Sequence, residues 1–329
     1  MKLLSFRKEG LYCVPGDFYI DPWKAVHRAV ITHAHADHAR LGMKSYLCHD
    51  ATKPLLQSRL AGDIWVESLP YGKPLMINGV KVSLHPAGHI IGSAQVRMEY
   101  KGYVAVVSGD YKTENDGIST PFEAVKCQMF VTESTFGLPV YRWRPQQEIL
   151  EDMKSWILRN QQQEKTSLFT GYSLGKAQRL MKMLEGVGQL YVHPSIARLN
   201  KAMKNNGIGL PPAKEWNTSL DKKDLKGQVV IIPPAALTPG LVKKIPRAAV
   251  ALCSGWMQVR GHRRWQAADA GFAISDHADW EGLLQSVHAT GAEKVMVTHG
   301  YAEQFARYLN ETGVKAEVVT TRFGEGDEE

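Results

Sequence analysis

The sequence predicts an α/β protein with a second α/β unit built on a parallel sheet. Three observations carry that expectation. Residues 1–32 fall into short alternating segments punctuated by Gly10, Pro15-Gly16 and Asp21-Pro22, the texture of hairpin-rich sheet. Beyond Pro145 strand-like runs alternate with stretches whose apolar residues recur every three or four positions, as crossover helices on a parallel sheet require. From Gly271 onward the same alternation runs on to residue 320.

Where the first sheet-like region ends, Val30-Ile31-Thr32 reads as a buried strand and residues 36–41 as the first turn of a helix. His33, His35, Asp37 and His38 crowd that junction. His35 lies near His33, while Asp37 and His38 turn towards a second point. Imidazole and carboxylate suit zinc, manganese or iron. Four such groups are too cramped around one ion, so two ions sharing the loop is the natural arrangement. The alternative is a histidine-rich turn without metal; lone histidines are common, but this clustering is not.

Composition bounds the rest. The 329 residues carry a net charge of +7, and the last six include acids but no base, so the remainder is more basic than the total. That surplus leans towards a polyanionic partner. Cys13, Cys48, Cys127 and Cys253 are far apart and form no Cys-x-x-Cys, which fits free thiols in the cytoplasm. No apolar run approaches a signal-peptide core or a membrane span, so a soluble cytosolic protein is expected.

In chain order, short strands and turns fill residues 44–99, with His89 on a glycine-bounded loop at 86–94. Residues 103–107 form a buried strand leading to Asp110, and the strand at 128–132 ends at Glu133. Pro145 opens a helix with Ile149, Met153, Trp156 and Ile157 inward. A strand at 165–172 leads to Ser173, a plausible N-cap for a helix carrying Leu174, Ala177, Met181 and Leu184. A strand at 189–192, a helix at 194–206 stopped by Gly207, and strands at 229–232 and 248–252 follow. A strand from Phe272 leads to a helix capped by Asp279; the strand at 295–298 ends in His299, and a helix at 302–312 and a strand at 316–320 close the chain.

The His33-x-His35-x-Asp37-His38 pattern after an apolar strand resembles the signature of the metallo-β-lactamase superfamily. The texture change after Glu133 is similar to the β-CASP branch, in which a cap domain interrupts the core. The resemblance implies an αββα sandwich with an inserted α/β cap: core over 1–137, cap over 138–270, core again over 271–329. It implies two divalent ions, zinc or manganese. His33, His35 and His89 would hold one, Asp37, His38 and His299 the other, with Asp110 bridging. Asp21 would orient the metal loop without touching metal, although an Asp-Pro turn fits the local sequence equally well. Water between the ions would become a hydroxide nucleophile, with Asp37 accepting its proton. His277 would protonate the leaving oxygen, with Glu133 favouring its charged form; a structural hydrogen bond at a helix start is the plainer alternative.

The cap would supply a nucleic-acid surface. Ser173 and Lys176 lie at a glycine-containing turn into a helix N-terminus, which suits phosphate. Ser254 and Arg260 belong to a second stretch, 254–265, where basic residues interleave with tryptophans; a solvated basic face is the bland alternative. Residues 137–143, 254–261 and 274–280 together resemble the bacterial ligase-associated DNA exonuclease family. That implies DNA end-processing in repair on single-stranded DNA or a free end, alongside a DNA ligase and a helicase. His299 resembles instead the histidine of RNA-processing β-CASP enzymes. An RNA-processing ribonuclease is therefore the alternative, ahead of a catalytically inactive nucleic-acid-binding subunit. A small-molecule hydrolase is disfavoured by the cap insertion.

Overall fold

A computed structural model describes residues 2–60, 62–217, 222–259 and 268–319. The chain up to Pro139 and from His277 onward forms one unit, and Val140–Asp276 forms the other. The first unit begins with a six-stranded sheet in chain order: β1 (Leu4–Arg7), β2 (Gly10–Cys13), β3 (Phe18–Ile20), β4 (Arg28–Val30), β5 (Ser45–His49) and, after helix α1 (Lys53–Leu60), β6 (Val66–Leu69). β1–β3 are antiparallel and β3–β6 parallel. A second sheet follows through β7 (Leu75–Ile77), β8 (Val80–Pro86), β9 (Ala94–Tyr100), β10 (Tyr103–Val107) and β11 (Met129–Glu133).

The second unit is a wholly parallel sheet among its described residues. Its elements are α2 (Gln146–Gln162), β12 (Ser167–Thr170), α3 (Lys176–Met183), β13 (Leu190–Val192), α4 (Pro194–Asn205), β14 (Lys214–Glu215), β15 (Val229–Ile232), the one-turn α5 (Pro239–Val242), β16 (Ala249–Cys253) and β17 (Ala270–Phe272). The strand order is β14-β13-β15-β12-β16-β17. All four residues of β15 are buried because both faces of the sheet are covered. Val229 and Ile231 join Ile149, Met153, Ile157, Leu180 and Ile196 in one core, while Val230 and Ile232 join Trp216 and Leu225 in another.

The chain then returns to the first unit with α6 (Trp280–Thr290), β18 (Lys294–Thr298), α7 (Ala302–Glu311) and β19 (Ala316–Val318). The second sheet thus runs β19-β18-β11-β10-β9-β8-β7, antiparallel from β7 to β10 and parallel from β10 to β19. Period-two alternation assigns its residues to two cores. Val80, Val82, Leu84, Val96, Met98, Ala105 and Val131 share a cluster with Leu11, Phe18, Ile20 and Val30 of the first sheet. Val106 and Phe130 point the other way and pack with Leu283 and Val287 of α6 and Phe305 and Leu309 of α7. Each such fully buried side chain contributes about 1.5–3 kcal/mol relative to exposure. Because β8, β10, β11 and β18 point the same way, their C-terminal ends bring His89, Asp110, Glu133 and His299 to one edge.

Four local expectations change. Residues 36–41 do not start a helix: one turn forms, closed by Ala39 N–H on His35 O at 2.9 Å. Arg59 of α1 takes the carbonyls of Ala34 (2.6 Å) and Ala39 (3.4 Å), which a continuing helix would have used. α1 itself was hidden in a region that reads as strands and turns. Ser173 is not the cap of α3; Gly175, at φ 90°, precedes that helix, and Gln178 Oε1 accepts its N–H at 2.7 Å. Finally, the chain does not re-enter the first unit near Gly271. β17 pairs with β16, and Phe272 packs on Trp156 and Phe169. The four cysteines are free and buried.

Candidate metal centre

The loop after β4 is built around Asp21 and Thr32. Asp21 Oδ1 accepts Thr32 N–H at 2.8 Å, and Oδ2 accepts the Thr32 hydroxyl at 2.5 Å and lies 2.7 Å from His38 Nδ1. Thr32 gives its only hydroxyl proton to Asp21. Its Oγ1, 3.1 Å from His33 Nδ1, therefore accepts from that ring. This selects the His33 tautomer whose Nε2 bears a bare lone pair. Gly109 lets the Asp110 loop lie on Thr32: at φ 57°, a Cβ there would come within 2.6 Å of Thr32 Cβ. Asp21 (φ 43°) and His299 (φ 59°) both occupy the left-handed region, at a cost of about 1–3 kcal/mol each.

Three overlapping groups have ligand atoms within 4.8 Å of one another: His33, His35, His89 and Asp110; His33, Asp37 and His38; and Asp110, Glu133 and His277. Asp110 Oδ2 lies 3.3 Å from His38 Nε2, 3.6 Å from His33 Nε2 and 3.8 Å from His89 Nε2. His89 Nε2 and His35 Nδ1 are 3.1 Å apart, and Asp37 Oδ2 is 3.4 Å from His38 Nε2. His299 falls outside these groups, but its ring stacks on His38 at 5.6 Å. Its carbonyl accepts the Ser134 hydroxyl at 2.5 Å.

The charges are interlocked. Burial pulls His33 well below the usual imidazole range, and His38 pushes it further. Burial opposes charge on His38 too, but Asp110, Asp37 and Asp21 outweigh it and hold His38 well above that range. Burial pushes the Asp110 and Asp37 carboxyls up, yet His38 outweighs it and both end below the usual carboxylate range. His299 is lowered, chiefly by burial. The residues fit divalent metal: His33 Nε2 is fully buried with no hydrogen-bond partner, and the surrounding donors are imidazoles and carboxylates.

Beside the donors stands an imidazole held by a carboxylate. His277 Nδ1 lies 2.9 Å from both oxygens of Glu133. Glu133, at 1% exposure, also accepts from Tyr111 N–H at 2.8 Å and from the Thr135 hydroxyl at 2.5 Å. The His277 ring is 4.7 Å from that of His89. In the second unit, Ser173 Oγ meets Ser195 Oγ at 2.8 Å, and Ser254 Oγ accepts Trp256 N–H at 3.4 Å. Lys176 is buried and faces Asp276 at 3.7 Å, so its charge is directed at a carboxylate instead of an open helix end. Arg260 lies outside the described residues.

Thr32, Arg59, Tyr111 and Thr135 were not singled out from sequence. Thr32 alone left a signal, a hydroxyl between an apolar run and the first histidine; the others act across separations that local pattern does not report. The Asp21 contacts carry a prediction. Asp21→Ala is expected to weaken metal binding roughly 10–100-fold, the usual cost of losing a carboxylate behind a histidine ligand. A chelator-competition titration measures this, and unchanged affinity would show that Thr32 and Arg59 suffice to hold the loop.

No protein-family model matches the chain. A probable DNA ligase of Opitutus terrae is 33% identical over 311 residues, 93% of this chain and 30% of that protein. An endoribonuclease YSH1 of Gibberella zeae is 28% identical over 175 residues, 51% of this chain and 20% of that protein. Cleavage and polyadenylation specificity factor subunit 3 of Dictyostelium discoideum is 29% identical over 124 residues, 36% of this chain and 16% of that protein. The chain therefore spans less than a third of each of these relatives. A crystal structure of a protein of unknown function from Enterococcus faecalis matches the fold with a TM-score of 0.61 at 11% identity, covering 91% of this chain and 80% of that one. No described helix is long and apolar enough to cross a membrane. By its relatives and its histidine–aspartate cluster, the chain belongs to the metallo-β-lactamase superfamily, in its β-CASP branch.

Proposed function

We propose that the chain is a cytoplasmic, metal-dependent phosphodiester hydrolase that digests DNA from an end in repair, working alongside a DNA ligase and a helicase. The observation that carries the chemistry is the sharing of Asp110: one carboxylate belongs both to the donor cluster and to the group with Glu133 and His277. In this reading the first unit is an αββα sandwich and the inserted unit a β-CASP cap whose Ser254 and Arg260 region contacts the nucleic acid. Two zinc or manganese ions would be held by His33, His35 and His89, and by Asp37, His38 and His299, with Asp110 common to both. Such ions supply Lewis acidity, lowering the pKa of water and offsetting charge on phosphoryl oxygens.

The chain's own groups do the rest. Asp37, partly exposed beside His38, accepts the proton of the attacking water. The new P–O bond forms as the bond to the 3′-oxygen breaks, and that oxygen takes a proton from His277. With Nδ1–H donated to Glu133, the proton delivered is the one on Nε2. The preference for DNA is supported by the match to the DNA-ligase relative along nearly the whole chain. An RNA substrate is the second reading, favoured by the endoribonuclease relatives and by His299.

Incubation with end-labelled linear single-stranded DNA, the same sequence as RNA, and a covalently closed single-stranded DNA circle, each with manganese or zinc, tests the proposal. Linear DNA is expected to be degraded, the circle to survive, and RNA to be the poorer substrate. Cleavage of the circle would replace the end-dependent activity with an endonuclease, and preference for RNA would move the substrate to the second reading.

A further inference from the structure

His277 sits in a stretch, residues 273–279, that belongs to neither helix nor strand, so its position depends on what holds the chain on each side. After it, Ala278 N–H donates to Tyr111 O at 2.7 Å. Before it, Arg179 of α3 holds the chain: Nη1 donates to Ser275 O and lies 3.5 Å from Asp276 Oδ1, while Nη2 donates to Gln146 Oε1 at 3.0 Å. Lys176 adds its ammonium at 3.7 Å from Asp276 Oδ2. Arg179 and Asp276 are each 3% exposed.

A buried cluster of two cations and one carboxylate is a costly way to obtain stability, since apolar side chains of similar volume commonly do as well or better. The planar fork of a guanidinium does fix direction, because its nitrogens address separate acceptors at set angles. Here Arg179 Nε is buried without a hydrogen-bond partner. The fork is thus committed to Ser275, Asp276 and Gln146 at the expense of its own full satisfaction. Glu133 sets the ring of His277 through Nδ1, and the Arg179 clamp sets the backbone one peptide bond before it.

We infer that Arg179 is a positioning residue for His277, acting through the 275–276 backbone and touching neither substrate nor metal. The inference rests on the reading of His277 as the proton donor. Its test is steady-state hydrolysis of linear single-stranded DNA and of the p-nitrophenyl ester of thymidine 5′-phosphate by Arg179→Gln, His277→Ala and the double variant. Arg179→Gln is expected to lower kcat on DNA about tenfold to a hundredfold, the scale of an ångström's misplacement. KM and metal content stay at their natural values, and the ratio of losses on the two substrates mirrors that of His277→Ala. The double variant is no slower than His277→Ala alone, because residues acting in series are not additive.

Arg179→Lys keeps the buried charge and loses the fork; it recovers part of the rate and carries the same comparison where the glutamine variant does not fold. A double variant slower than His277→Ala, or an Arg179→Gln enzyme with natural kcat on DNA, would overturn the inference. Failure of the proton-donor reading shows separately, as equal losses by His277→Ala on both substrates. Non-additivity still reports in that case whether Arg179 works through His277.

Discussion

His277→Ala is expected to cleave single-stranded DNA roughly a hundredfold or more slowly than the natural chain, the usual scale for a lost general acid, while keeping its metal. The geometry separates His277 from the donors by role. Its Nδ1 is taken by Glu133 at 2.9 Å, whereas His33, His38 and His89 all direct Nε2 to within 3.8 Å of Asp110 Oδ2. At 23% side-chain exposure it is also more accessible than those three. On a p-nitrophenyl ester of a nucleotide the loss should shrink, because that leaving group departs without a proton. Elemental analysis and parallel rates on the two substrates check this. Loss of metal, or an equal defect on the ester, would make His277 a ligand or a structural residue.

Asp110→Ala is expected to do the opposite: both substrates fail together and metal content falls. Its Oδ2 reaches three buried imidazoles, and the charge on His38 holds its carboxyl below the usual range. Removing it leaves buried His38 without the strongest of the carboxylates that stabilise its charge, and takes a donor from the cluster. The rate should fall by at least the roughly hundred- to thousandfold that one preorganised electrostatic contact supplies. Asp110→Asn preserves shape and removes the charge, so it should behave nearly as badly. A variant that retains its full metal content and hydrolyses the ester normally would remove Asp110 from the centre.

The donors were legible because ligand chemistry leaves a local trace. Three histidines and an aspartate between His33 and His38 stand next to a β-branched run, and His89, Asp110 and His299 each follow an apolar strand. Strands β15 and β16 and helices α2 and α4 were legible for a related reason: apolar periodicity reports burial directly. Helix α1 escaped because its apolar residues form no clear face, and the turn after His35 misled because its capture by Arg59 is invisible at a separation of 20 residues or more.

What the sequence by itself determined is the set of groups available for chemistry, since side-chain identity and a strand end suffice to propose an imidazole–carboxylate cluster. Which groups face one another was decided only by the tertiary structure. Spacing offered Lys176 to phosphate; folding turned it onto Asp276. A strand at 270–272 suited either sheet, and the packing of Phe272 against Trp156 and Phe169 settled it in the second unit. Asp21 could have been an ordinary Asp-Pro turn until its carboxylate met Thr32 and His38. The physical reason is common to all three. Periodicity encodes how much of a residue is buried, whereas its partner depends on contacts between segments far apart in sequence, which no local pattern records.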